Sequence, residues 1–195
     1  SIDYNTLPLK MGGDMRHQVV IIGGGPSGLL LGQLLHGIGV DAVILERKTR
    51  DYVLSRNRAG VLERGMLDLM KQAGIDSRAH AEGLPHDGTL IAYEGDMFRV
   101  DLAGHAGHSI MVYGQTEVTR DLYDARDSID AATHFEVSNV VINGADTDQP
   151  SVSFDKDGQS QRIECDYVAG CDGFHGVSRQ TIPESIRQEF EKVYP

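Results

Sequence analysis

The stretch Ile21-Ile22-Gly23-Gly24-Gly25-Pro26-Ser27-Gly28 carries the first chemistry legible in this chain. Its glycines fit G-x-G-x-x-G between an apolar run and a helical one, a pattern that binds the pyrophosphate of a dinucleotide. Gly23 permits the tight turn. Gly25 has no side chain to block an anion approaching the free amides and positive dipole end of a helix, and Gly28 lets that helix pack close to the sheet. Glu46 stands eighteen residues beyond Gly28, at the end of the next apolar run. A carboxylate there accepts hydrogen bonds from both ribose hydroxyls of an adenosine and repels a 2′-phosphate, which disfavours NADP in this slot. These residues predict the ADP moiety of NAD or FAD.

A second constellation bears on which of the two it is. In "DYVAGCDGFHGVSRQTIP", residues 166–183, an apolar run leads into Cys171-Asp172-Gly173. An acid at the end of a buried strand can set its carboxylate against a chain of sugar-like hydroxyls. FAD has such a chain in its ribityl, and NAD has none before its reactive ring. An Asp-Gly turn after a strand is common on its own, so a nicotinamide dehydrogenase and a non-catalytic nucleotide-binding module stay open at this point.

The third feature is charge. The formal net charge is −11, yet six of the 18 Lys and Arg residues, Arg47, Lys48, Arg50, Arg56, Arg58 and Arg64, fall between positions 47 and 64, opposed there only by Asp51 and Glu63. A basic island on an acidic chain, just after a nucleotide motif, reads as a local site for phosphates. The overall balance argues against a nucleic-acid or anionic-membrane surface.

These residues need elements to hold them. "HQVVII" (17–22) suits a buried parallel strand, Pro26 suits a first helical turn, Leu29, Leu30, Leu34 and Leu35 give that helix its apolar face up to Gly37 and Gly39, and "DAVILE" (41–46) is a second strand. Residues 17–46 are thus one βαβ unit. Further on, helices are expected over 60–74, with Leu62, Met66, Leu69 and Met70 inward, and over 115–130, with Val118, Leu122 and Ala125 inward. A hairpin turning at Glu94-Gly95-Asp96 is expected over 88–102, and "GHAGH" (104–108) reads as a loop whose two histidines hold no metal. From 133 to 170 short runs suggest an antiparallel meander feeding one last buried strand. Residues 1–16 read as an extension, 17–187 as the nucleotide-binding domain, and 188–195 as the start of a further domain, so the chain is expected to be the front part of a longer protein. No apolar run is long enough to span a bilayer, and two cysteines, Cys165 and Cys171, point to a reducing, cytoplasmic compartment. The fold class is α/β: a Rossmann-like domain with a parallel sheet plus an antiparallel β meander.

The segments "IIGGGPSGLLLGQLLHGIGVDAVILER", "RNRAGVLERG", "YGQTEVTRDL" and "GCDGFHGVSRQTIP" together resemble the flavoprotein aromatic hydroxylases of class A, in their hydroxybenzoate branch, over His17 to Pro195. The resemblance implies a glutathione-reductase-like flavoprotein fold with FAD as cofactor. It implies that Gly23, Gly25, Ser27 and Gly28 take the pyrophosphate, with Glu46 on the adenosine ribose and Arg58 neutralising phosphate charge. Ala59, Gly60 and Val61 would line the flavin, Gln115 would lie near the ribityl, and Asp172 would hold a ribityl hydroxyl. Arg47, Tyr52, Arg56, His175 and Arg179 match residues implicated in contact with NADPH, or NADH, in a surface groove. Asn57 departs from the usual aliphatic residue between the two arginines, and Lys48 and Arg50 add charge where some relatives choose between the nicotinamides. The implied reaction is hydroxylation of a phenolic acid with NAD(P)H and O₂, foremost 4-hydroxybenzoate to 3,4-dihydroxybenzoate, by a homodimeric parent. The residues that hold the aromatic acid are implied to lie beyond Pro195, so no catalytic residue is assigned.

Overall fold

The computed structural model describes residues 15–56 and 58–193; residues 1–14, which make up most of the expected extension, and Asn57 lie outside them. A short β1 (Met15–Arg16) leads into β2 (Val19–Ile22), α1 (Pro26–Gly37) and β3 (Ala42–Leu45), the βαβ unit read from the sequence. Pro26 occupies the first turn of α1, where its missing N–H leaves no bond unmade. The basic island is not one loop: it folds a helix, α2 (Arg50–Ser55), whose N-cap Thr49 accepts the Tyr52 amide at 3.1 Å.

The helix expected from residue 60 begins later. Val61–Leu62 form β4, and α3 spans Arg64–Gln72, so Leu62 is a strand residue. Of the expected apolar face Met70 is fully buried and Leu69 is exposed, while Gly74 stops the helix in the left-handed region at φ +73°. Then come α4 (Ser77–Glu82), β5 (Leu84–His86) and the hairpin of β6 (Thr89–Tyr93) and β7 (Asp96–Val100). The hairpin turns on Glu94 and Gly95 at φ +49° and +90°, as its two-residue turn requires. Residues 104–108, expected as a loop, lie largely in α5 (Leu102–Ala106), which Asp101 caps by accepting the Gly104 amide. No cluster of metal ligands occurs among the described residues. After β8 (Ile110–Val112) comes α6 (Gln115–Ser128), which buries Val118 and Leu122 as expected and also Tyr123 and Arg126.

The meander is shorter than its expected span. β9 (Thr133–His134) joins the parallel sheet, pairing with β3, while β10 (Ser138–Asn143), β11 (Ser151–Lys156) and β12 (Gln159–Glu164) form the antiparallel sheet. β1 adds to that sheet, pairing in parallel with β12. β13 (Tyr167–Gly170) returns to the parallel sheet beside β2, followed by α7 (Val177–Gln180). It was expected to be buried, but it is an edge strand of the order β13-β2-β3-β9, with Tyr167 72% exposed. Residues 188–193, read from the sequence as the start of a further domain, lie in no strand.

Side-chain alternation in β2 and β3 builds the core. Val19, Ile21 and Ile44 face α1, α3 and α6, while Val20, Ile22, Val43 and Leu45 face Val152, Phe154 and Ile163 of the meander. A parallel sheet covered on both faces explains why its strands read as unbroken apolar runs.

Candidate functional site

β2 lies between β3, which follows it through α1, and β13, which arrives from the antiparallel sheet, so the order of the strands switches sides at the carboxyl end of β2. Ligands of open α/β sheets bind in the crevice outside the carboxyl ends of the strands at such a switch point. Here that crevice is a cavity of about 960 Å³, walled by Ile22, Leu45 and Cys171 at the ends of the three strands and by Gly23, Gly25, Pro26 and Ser27 at the entrance to α1. It lies at the upper end of the range for small-molecule sites, as an extended ligand requires.

Each glycine of the turn has its own reason. Gly23 sits at φ +111°, and a Cβ on it would collide with the backbone of Cys171 and Asp172. A Cβ on Gly28 would enter the Gly23 carbonyl oxygen and touch Ile21, so Gly28 is what lets α1 close on the strand. Gly25 is the opposite case: a Cβ there meets nothing within 4 Å, because it would project into the cavity. A cradle left open beside a helix N-terminus fits a pyrophosphate.

Glu46 is buried at the end of β3 and lines the same cavity. Its Oε2 accepts the Gly24 amide at 2.7 Å and its Oε1 the Lys48 amide at 2.8 Å. The acid therefore shapes the glycine turn as well as lining the cavity. Asp172 lies across the mouth, after β13; its Oδ2 accepts the Ser178 amide at 3.0 Å, and Gly173 turns the chain at φ +77°. Burial and the neighbouring Asp172 carboxylate push the Cys171 thiol up, so it stays protonated and inert.

Eleven of the expected site residues line this one cavity: Gly23, Gly25, Ser27, Glu46, Arg47, Tyr52, Arg56, Arg58, Gln115, Asp172 and His175. The island divides. Arg47, Lys48, Arg56 and Arg58 face the cavity. Arg64 pairs with Asp68, and Arg50 turns away to Asp127 at 2.5 Å and Asp124 at 3.3 Å, so neither lends its charge to a phosphate. Tyr52 carries Lys48 at 5.1 Å and Arg56 at 5.9 Å from its ring centroid.

Four residues are held elsewhere, besides Gly28. Ala59, Gly60 and Val61 are not in the wall: the Gly60 carbonyl accepts the Tyr113 amide at 2.9 Å, and Val61 pairs with Val112. Gly60 nonetheless abuts Gly114, next to the wall residue Gln115. Arg179 stacks on Phe174 at 3.9 Å and pairs with Glu189 at 3.5 Å, lining a second crevice of about 740 Å³ that it shares with His175.

Sequence reasoning missed part of the wall. Thr119 of α6 and Val137–Val140, at the start of β10, also line the cavity. Asn139 adopts φ +50° there and donates to Asp155 at 2.7 Å. The missed residue with the most consequence is Tyr123, whose hydroxyl donates to the Gly24 carbonyl at 2.8 Å. It sits one place past Leu122 on a helix with an ordinary core face, and nothing in the pattern marks it.

Similarity to known proteins agrees with this geometry. Residues 16–195 match the family described as the FAD binding domain. The chain is 48% identical over 182 residues to the p-hydroxybenzoate hydroxylase of Acinetobacter baylyi, covering 93% of this chain and 45% of that protein. It is 28% identical over 184 residues to an FAD-dependent monooxygenase of Metarhizium robertsii, covering 89% of this chain and 56% of that one. The chain thus spans about half the length of these relatives. Among solved structures, p-nitrophenol 4-monooxygenase from Pseudomonas putida superposes with a TM-score of 0.74 at 19% identity, over 86% of this chain and 43% of its own, which supports the fold. The chain, with its glycine turn at the switch point of a two-face-covered parallel sheet, belongs to the FAD-binding domain family.

Proposed function

We propose that this chain is the FAD-binding part of a monooxygenase that uses NAD(P)H and O₂ to hydroxylate a phenolic acid, with 4-hydroxybenzoate to 3,4-dihydroxybenzoate the conversion best supported. The observation that carries the reading is the single cavity joining the Gly23–Gly28 turn, Glu46 and Asp172, in a chain 48% identical to a p-hydroxybenzoate hydroxylase. Residues 17–187 form the FAD-binding domain on this reading.

FAD, when bound, supplies the redox chemistry and the activation of O₂; the protein binds it, orients it and keeps water out. The amides at the start of α1 and the open face of Gly25 receive the pyrophosphate, assisted by Arg58. Glu46 takes the adenosine ribose with the lone pairs left free by Gly24 and Lys48. Asp172, with Oδ2 committed to Ser178, offers Oδ1 to a ribityl hydroxyl, and Gln115 approaches the same chain from α6. Arg47, Tyr52, Arg56 and His175 form the nicotinamide-nucleotide side of the cleft. Arg179 joins them only by leaving Phe174 and Glu189.

The experiment is the visible absorption spectrum of the purified protein after incubation with FAD and desalting, followed by NADPH oxidation with 4-hydroxybenzoate, 3-hydroxybenzoate and salicylate on the full-length protein. A retained flavin spectrum and oxidation stimulated most by 4-hydroxybenzoate are expected. A protein that retains NAD and no flavin would be a dehydrogenase. Retained flavin without any phenol-stimulated oxidation would make the chain a non-catalytic nucleotide-binding module.

A further inference from the structure

Four of the six backbone amides and carbonyls of Gly23–Gly25 have hydrogen-bond partners among the described residues. The Gly23 amide donates to the Leu45 carbonyl at 2.8 Å, the Gly24 amide donates to Glu46, and the Gly25 carbonyl accepts the Leu29 amide at 3.0 Å. The Gly24 carbonyl accepts the Tyr123 hydroxyl, a bond between groups 99 residues apart in sequence and buried from water. Only the Gly25 amide has no acceptor among the described residues. Gly24 and Gly25 share one trans peptide, in which C=O and N–H point in opposite directions. With the carbonyl pinned to the Tyr123 hydroxyl, the Gly25 amide points away from that hydroxyl, and Gly25 itself lines the cavity.

Tyr123 is itself held. The Arg50 guanidinium lies 4.8 Å from its ring centroid and is anchored by Asp124 and Asp127, residues of the same helix. Phe135 closes the ring at 5.7 Å. Arg50 begins α2, the helix that carries Tyr52 into the cavity.

We infer that Tyr123 is a positioning residue for the pyrophosphate: by fixing the Gly24 carbonyl it presets the Gly25 amide as an anion donor, and through Arg50 it ties that turn to α2. The inference rests on the reading of the cavity as a dinucleotide site. Tyr123 does not touch the ligand; it sets the orientation of a group that does. Were the Gly24–Gly25 peptide free to rotate, its carbonyl could face the phosphate and repel it.

The test compares wild-type protein freed of flavin with Tyr123→Phe, which keeps the ring under Arg50 and loses the hydroxyl. Binding of FAD, ADP and adenosine is measured by fluorescence and calorimetry, beside the thermal midpoint of each protein. The expected result is a loss of about tenfold in affinity for FAD and ADP, the equivalent of one buried hydrogen bond, with adenosine unchanged. Equal losses for ADP and adenosine, or no loss for either, would overturn the role. Wild-type protein that binds neither FAD nor ADP would overturn the reading of the cavity and the inference with it. If Tyr123→Phe does not fold, Arg50→Met serves instead. It leaves the hydroxyl in place but frees the ring, and a weaker loss in the ADP-to-adenosine ratio is expected; a wild-type ratio would overturn the inference.

Discussion

Glu46 and Gly24 are bound to each other across the first βαβ unit, carboxylate oxygen to backbone amide at 2.7 Å. The acid that lines the cavity thus also holds the glycine loop that lines it. Replacing it should disturb both. Glu46→Gln puts an NH₂ group against either the Gly24 or the Lys48 amide, so one buried donor loses its acceptor. The expected cost is about 1–3 kcal/mol in the flavin-free protein, read as the urea midpoint, together with weaker FAD binding.

Gly25 and Gly28 should separate stability from binding. Gly28→Ala forces a methyl into the Gly23 carbonyl and is expected to cost about 1–3 kcal/mol or more without any ligand. Gly25→Ala has open space around its methyl and an ordinary φ of −77°, so the flavin-free protein should melt at or above the wild-type temperature. Its FAD binding should fail, because the methyl stands where the pyrophosphate must approach. Thermal melts with and without FAD check both variants.

His134 should make the fold acid-sensitive. Burial, then the nearby Lys156 and His17, push its imidazole down to about 4 from an ordinary value of 6.5. The folded protein holds it neutral while the unfolded chain takes up a proton, so stability is lost as pH falls from about 6.5 toward 4. The loss reaches at most about 3 kcal/mol. Urea midpoints between pH 7 and 4 should fall accordingly, and His134→Gln should flatten the slope.

Arg56 and Arg50 should behave differently although both belong to the basic island. Arg56 faces the cavity beside Tyr52, so on the proposed function Arg56→Gln is expected to raise KM for NADPH about tenfold in the full-length protein and leave FAD affinity unchanged. Arg50 is committed to Asp124 and Asp127, and Arg50→Gln should leave that KM within about twofold. Steady-state kinetics on both variants decide it.

The periodic and punctuated parts of the chain were legible. The βαβ unit, the hairpin at Glu94-Gly95 and the helix from Gln115 follow from local rules: apolar runs, a proline at the first turn, residues that accept positive φ. Short elements were not. α2 and α5 are too brief to show a helical period, and Val61–Leu62 is a strand because Met111 and Val112 offer it a partner, not because of its own residues. His134 and Tyr167 likewise belong to the parallel sheet through pairing with distant strands.

For the site, the sequence by itself determined the residues whose chemistry depends on their own backbone: Gly23, Gly25 and Gly28 in the turn, Glu46 at a strand end, Asp172 before its glycine. Spacing along one unit fixes where the glycines and Glu46 stand, because the βαβ geometry is nearly invariant, whereas Asp172 reaches the same cavity only because β13 pairs with β2. Only the tertiary structure decided which cations face the cavity and which are neutralised, since Arg50 meets Asp124 and Asp127 from 74 and 77 residues away. It alone brought the Tyr123 hydroxyl to the Gly24 carbonyl. A hydrogen bond across such a separation depends on how α6 packs beside α1, and no local pattern encodes that packing.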